Sequence, residues 1–128
     1  MRAIDTNVVV RYLTGDDAVQ AARARAAVDS DDVFVGTTVL LESEWVLRSV
    51  YGFGSEDVVA ALRAFAGLPT VLVESPVLLA EALERADLGM DFADALHLGA
   101  VGHCSALLTF DTAFVEAARG ESVKVLEP

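Results

Sequence analysis

The chain is predicted to fold as an α/β protein, a three-layer sandwich with a mainly parallel central sheet of about five strands flanked by helices. Three observations predict it. Short apolar, β-prone runs alternate with longer runs of helical period, so each strand-to-strand step needs a crossover, and crossovers make strands parallel. The connections are short. The strand runs are almost continuously apolar, as befits a sheet buried on both faces.

Arg2–Asp5 is the first strand candidate, and Val8, Val9, Tyr12 and Leu13 then recur at helical spacing. Asp16–Ser30 is rich in Ala and Arg, with capping residues at both ends, and reads as a helix. Val33–Gly36 is a second strand. Thr37–Tyr51 follows as a helix, with Val39, Leu40, Ser43, Val46, Leu47 and Val50 spaced for one face. Gly52 and Gly54 interrupt it, and Ser55 caps a helix through Val58, Leu62 and Phe65. Val71–Val73 is a third strand. Ser75-Pro76 starts the next helix, because proline's fixed φ and missing N–H suit a first helical position. Gly89 ends that helix, and Asp91 caps another running toward His103. Ala106–Thr109 is a fourth strand, Asp111 opens a short helix, and Val123–Leu126 is the fifth strand. No repeat, low-complexity run or linker divides the chain, so residues 1–128 are expected to form one domain.

Hydrophobic residues make up 54% of the 128, enough for a packed core and too many for a disordered chain. Mean hydropathy is +0.47. The longest uncharged stretch, Ala95–Phe110, holds two His and two Gly and falls short of the roughly 20 apolar residues of a membrane span. No charged-then-apolar signal segment opens the chain, since Asp5 interrupts it, and a cytoplasmic location is expected. The single cysteine, Cys104, lies in an apolar stretch and reads as a small buried hydrophobe. Twenty acidic residues against nine basic ones give a net charge of −11, which argues against a broad grip on nucleic-acid phosphates. The basic residues are eight Arg and one Lys, so cations here are fork-shaped binders of phosphate or carboxylate.

In parallel sheets, ligands collect at the carboxyl ends of the strands. Asp5 ends the first strand, in Ala3-Ile4-Asp5-Thr6-Asn7, and Asp111 follows the fourth, in Leu107-Leu108-Thr109-Phe110-Asp111. Glu42 lies in the helix after strand two, and Asp94 in the first turn of the helix before strand four. If strands one and four are neighbours, four carboxylates from four segments meet above the sheet. That chemistry suits Mg²⁺ or Mn²⁺, hard cations held by a few carboxylates together with water and substrate phosphates. Such a site activates water for in-line attack on a phosphodiester.

Each acid also has a plainer use. Asp5 and Asp111 can cap the helices that follow them. Asp91 and Asp94 stand three apart, like a capping box, which assigns Asp91 mainly to the cap and Asp94 mainly to the site. Glu42 is placed on a largely buried stripe, where a lone acid needs a metal or a partner. Glu44, about 200° further round, should face elsewhere. Thr6, Asn7 and Thr109 adjoin the acids and are expected to orient carboxylates or a metal-held water, with local turn bonding as the alternative. His97 and His103 are roughly 240° apart on one predicted helix, so they cannot work as the acid–base pair of a metal-free ribonuclease.

These residues carry a resemblance over essentially the whole chain. Ala3-Ile4-Asp5-Thr6-Asn7 with Arg11-Tyr12-Leu13, Thr38-Val39-Leu40-Leu41-Glu42 with Trp45-Val46-Leu47, Asp91-Phe92-Ala93-Asp94-Ala95-Leu96-His97 and Leu108-Thr109-Phe110-Asp111 resemble, in order and spacing, a PIN-domain protein of the VapC toxin type. The resemblance implies a Mg²⁺- or Mn²⁺-dependent endoribonuclease whose acids match Asp5, Glu42, Asp94 and Asp111. It implies an RNA substrate, often a tRNA or ribosomal RNA loop, a homodimer, and a VapB-like antitoxin that places a basic or polar segment in the acidic pocket. A basic antitoxin suits this acidic chain. Trp45, Val46, Tyr51 and Phe53 lie near the helical hairpin the family uses for antitoxin contact. Between the last acid and the following Phe the family often has a basic residue; Thr112-Ala113 stand there instead, which removes one phosphate contact. Arg11 and Arg48 are the candidate RNA contacts, being on or beside helices that bear site residues.

Two other classes compete. A PIN-fold chain with weak or lost catalysis, acting as a binding module, is the first alternative, and the presence of all four acids counts against it. A phosphoacceptor receiver domain wants an acidic pair after strand one and an acceptor Asp after strand three. The chain has Asp5-Thr6-Asn7 and Glu74-Ser75-Pro76 at those places, and its only Lys, Lys124, is in strand five.

Overall fold

The computed structural model describes residues 1–128, which cluster into two compact units, Met1–Pro76 and Val77–Pro128. The first unit holds β1 (Arg2–Ala3), α1 (Thr6–Thr14), α2 (Ala18–Ser30), β2 (Val33–Val35), α3 (Thr37–Ser49), α4 (Ser55–Ala66) and β3 (Val71–Val73). The second holds α5 (Pro76–Asp87, whose first residue closes the first unit), α6 (Phe92–Ala100), β4 (Ala106–Leu108), α7 (Thr112–Ala117) and β5 (Lys124–Leu126). The α/β alternation is as expected, and every ladder is parallel.

The five strands pair as a three-stranded sheet, β1-β2-β3, and a two-stranded sheet, β4-β5. Pairing of strand one with strand four is therefore not among the ladders. The first strand is also shorter than expected: Ile4 N–H still bonds the Phe34 carbonyl at 3.0 Å, but Asp5 already turns into the cap of α1.

In the first unit, β2 is the central strand, and Val33 and Val35 are fully buried. Val9, Val28, Leu40, Val58, Leu62 and Phe65 bring the helices onto a common core. Tyr12 meets Phe65 edge-on at 5.4 Å between ring centroids, an arrangement that suits the ring quadrupoles. Helix α1 ends at Gly15, whose φ of 66° is left-handed and whose N–H bonds the Arg11 carbonyl.

In the second unit, Leu79, Ala82 and Leu83 of α5 and Phe92, Ala95, Leu96 and Leu98 of α6 are buried, together with Phe114, Val123 and Val125. Arg85 on α5 grips Glu121 through two bonds, Nε–Oε1 at 3.0 Å and Nη2–Oε2 at 3.2 Å, and so ties the last turn to α5. Helix α6 stops at Ala100 rather than continuing toward His103, with Gly99 and Gly102 flanking its end. Residues 101–105 form turns instead, and Cys104 is exposed, not the buried hydrophobe the sequence suggested.

Candidate active site

Four segments carry the sequence-predicted acids, two in each unit. In the first, Asp5 is the N-cap of α1: its Oδ1 accepts from the Thr6 backbone N–H at 2.8 Å, leaving Oδ2 uncommitted. Thr6 is buried, and its hydroxyl donates a short hydrogen bond to Oε1 of Glu42. The segments at residues 6 and 42 are thus joined at the start of α1 through the Thr6 hydroxyl. Asn7 is exposed beside them.

The burial expected of Glu42 belongs to Glu44. The buried face of α3 is Leu40, Ser43, Glu44 and Leu47, and Glu42 is exposed. The stripe runs i, i+3, i+4, i+7 from Leu40, which puts position 42 on the far side. Val39 and Val46 are only half-buried, and Val50 is exposed. Glu44 is accommodated by Arg48, one turn on, at 2.9 Å from Nε to Oε2. Arg48, offered above as an RNA contact, is engaged in that pair. Glu74 is a further acid with local duty: its Oε1 accepts from the Thr37 N–H at 3.0 Å, serving the start of α3 where Gly36 has no side chain to cap it.

In the second unit, Asp91 caps α6 by accepting from the Asp94 N–H at 3.2 Å, the cap expected of Asp91. The carboxylate of Asp94 accepts no hydrogen bond. Partial burial pushes its pKa above the ordinary value, and the charges of Asp91 and Asp111 push the same way against a smaller opposing effect of His97. Asp111 caps α7 through Oδ1, which accepts from Phe114 N–H at 3.1 Å, and its own N–H donates to Thr109 Oγ1 at 3.0 Å. Thr109 therefore serves the turn rather than a carboxylate.

No group of three or more His, Cys, Asp or Glu side chains is gathered closely enough to cage an ion. A closed cage is not what Mg²⁺ requires; it takes one or two carboxylates and keeps several waters. The donors are all hard oxygens. Asp5 and Asp111 each keep one oxygen clear of their caps, and Asp94 keeps both. Carboxylate oxygens of this kind are the donors a hard divalent cation takes.

Beside Asn7, Arg11 is held by three neighbours. Its Nε donates to Gln20 Oε1 at 2.8 Å, and its Nη1 donates to Tyr51 OH at 2.8 Å and Asp16 Oδ1 at 3.1 Å. The Tyr51 hydroxyl donates in turn to Asp16 Oδ2 at 2.7 Å, and its ring stacks on Phe53 with 6.0 Å between centroids. That hydroxyl is the main reason the Asp16 carboxyl lies below its ordinary pKa. A depressed carboxyl stabilises the fold above its unfolded-state pKa, and the gain is lost as pH falls through the folded value. Tyr51→Phe is therefore expected to lower the urea midpoint at neutral pH, with the gap to the parent narrowing on acidification below the carboxylate range. A gap that is constant with pH would remove Asp16 from the explanation.

Comparison with known proteins places these features in context. A family model described as PIN domain matches residues 3–120. Among solved structures, the chain is similar to Mycobacterium tuberculosis VapC20, described as a sarcin–ricin loop cleaving toxin, at 23% identity and a TM-score of 0.44, covering 97% of this chain and 99% of that one. No curated protein matches.

Proposed function

The chain belongs to the PIN domain family, and on that premise we propose that residues 1–128 act as one VapC-like nuclease domain, a Mg²⁺- or Mn²⁺-dependent endoribonuclease toxin. The reading rests above all on the hydrogen bond from Thr6 to Glu42, which ties one motif acid to the neighbour of another across 36 residues of chain. Asp5, Glu42, Asp94 and Asp111 are the residues that would hold the ion. Bound there, the cation supplies the charge that activates water and stabilises the leaving oxygen of a phosphodiester.

The chain's own groups do the positioning. Thr6 fixes the direction of the Glu42 carboxylate. Asp91 fixes the first turn of α6 and with it the backbone of Asp94. Thr109 fixes the turn that presents Asp111, and Asn7 offers an amide beside Asp5. Arg11, braced by Asp16, Tyr51 and Gln20, is the better-placed phosphate contact of the two arginines singled out from sequence.

The proposed partners are a structured RNA such as a tRNA or ribosomal RNA loop, a second copy of the chain, and a VapB-like antitoxin, in the cytoplasm. Trp45, Val50 and Phe53 are exposed at the α3–α4 hairpin, and Phe53 also lines a cleft of about 260 Å³ with Leu13, Thr14, Leu47, Asp57 and Val58; these features support a largely apolar partner contact there. No helix is long and apolar enough to cross a membrane.

The test is cleavage of total bacterial RNA by purified, antitoxin-free protein, with Mn²⁺ or Mg²⁺ against EDTA. Discrete fragments that appear only with metal are expected, and end mapping would give the target. Folded protein that cuts nothing would favour a PIN-fold binding module instead.

A further inference from the structure

A second feature of the first unit lies outside the acids. Helices α1 and α2 enclose a cleft of about 340 Å³, inside the range of about 300–1,000 Å³ typical of ligand sites. Asn7 and Arg11 line it from α1, and Gln20, Arg23, Ala24 and Ala27 from α2, with no acidic residue in the lining. In a chain of net charge −11, a cleft bearing two guanidiniums and no carboxylate runs against the composition.

Its polar groups are arranged to donate. The Gln20 amide oxygen accepts from Arg11 Nε, so its NH₂ remains for another acceptor. Arg11 commits Nε and Nη1 and keeps Nη2. Arg23 is exposed and has neither hydrogen bond nor ion pair, whereas Arg11, Arg48, Arg85 and Arg119 all have acidic partners. Ala24 and Ala27, one and four residues beyond Arg23, keep the floor of the cleft shallow in side-chain bulk. The Arg23 fork, Arg11 Nη2 and the Gln20 amide N–H groups are donors suited to phosphate, with Asp16 taking only the Nη1 side of Arg11.

We infer that the α1–α2 cleft is a phosphate-binding groove that takes the backbone of the RNA substrate, with Arg23 as its free cation and Arg11 as its braced one. Asn7, which lines the groove, stands two residues from Asp5, so the groove adjoins the start of α1 where that acid caps the helix. The choice of RNA as ligand rests on the nuclease reading. The electrostatic problem of an acidic nuclease is then met locally: one cleft holds the phosphates, and the remaining surface need not.

The test is binding of a mixed-sequence, fluorescein-labelled single-stranded RNA in EDTA at several salt concentrations, where cleavage does not intrude. Arg23→Gln is expected to weaken binding about tenfold and to reduce the slope of log affinity against log salt by about 1. Arg119→Gln, the same charge change at an exposed residue that does not line the groove, should bind like the parent. Equal affinities and slopes for parent and Arg23→Gln would overturn the groove, as would a parent that fails to bind at low salt. Arg23-dependent binding of poly-glutamate without such binding of RNA would also overturn it, in favour of an acidic protein segment. Arg23-dependent RNA binding by a protein that never cleaves would leave the groove standing and bring down the nuclease reading. Metal-dependent cleavage with Arg23 irrelevant would do the reverse.

Discussion

Asp94→Asn is expected to lower metal-dependent RNA cleavage by more than about 100-fold, while the metal-free protein stays at least as stable as the parent. The first half follows from ligand chemistry: losing a group that merely supports a metal ligand already costs about 10–100-fold, and loss of the ligand itself should exceed that. The second half follows from the surroundings of Asp94. Its carboxylate is partly buried, accepts no hydrogen bond and faces the charges of Asp91 and Asp111. Asparagine has the same shape, keeps the backbone N–H that Asp91 caps, and carries no charge to repel. A loss of activity from misfolding would lower the thermal midpoint; the loss expected here leaves it equal or higher.

Metal should separate the two proteins further. A cation present at about 100 times its dissociation constant stabilises the folded state by about 2.7 kcal/mol. The parent should therefore melt higher in Mg²⁺ or Mn²⁺, and Asp94→Asn should gain much less. A variant that cleaves RNA at near-parental rate would remove Asp94 from the site, and equal metal-induced shifts would remove it from the metal.

Most of the fold was legible in the sequence, because short apolar runs, capping residues and Ser75-Pro76 are local signals that act within a few residues. The boundaries that moved are those where a second local effect intervened. Asp5 left the first strand because it caps α1, and α6 stopped three residues before His103, leaving Cys104 in a surface turn.

At the candidate site, capping by Asp5, Asp91 and Asp111 was readable from position alone, and the structure realises all three. The phase of α3 was not. Val39, Leu40, Ser43, Val46, Leu47 and Val50 allow more than one choice of buried stripe, and tertiary packing selects the one that takes in Glu44. The i, i+4 pairing of Glu44 with Arg48 was a signal that would have found it. The Thr6–Glu42 bond and the α1–α2 cleft join segments distant in sequence, and no periodicity within one element reports them.

The same misjudged face leads to the largest stability effect expected of a polar side chain in this protein. Arg48→Met should cost about 2–3 kcal/mol, below the roughly 3–5 kcal/mol of a fully buried pair, because the Arg48 side chain is 37% exposed while that of Glu44 is only 5% exposed. Arg48 touches both carboxylate oxygens of Glu44, at 2.9 Å from Nε and 3.4 Å from Nη2. Methionine keeps much of the side-chain bulk but leaves the carboxylate without its cation, between Leu40, Ser43 and Leu47. The penalty is thus a stranded charge more than a lost attraction. It follows that Glu44→Leu with Arg48→Met should be more stable than Arg48→Met alone, since the double variant removes the charge that the single one strands. Urea denaturation of the three proteins measures this; a double variant less stable than the single would show that the Glu44 carboxylate is not stranded by the loss of Arg48. Cleavage assayed well below the melting transitions then separates the two roles open to Arg48. Activity restored to the double variant along with stability would make Arg48 structural. Activity lost in both Met variants, with the double variant restored in stability, would return it to the RNA-binding surface.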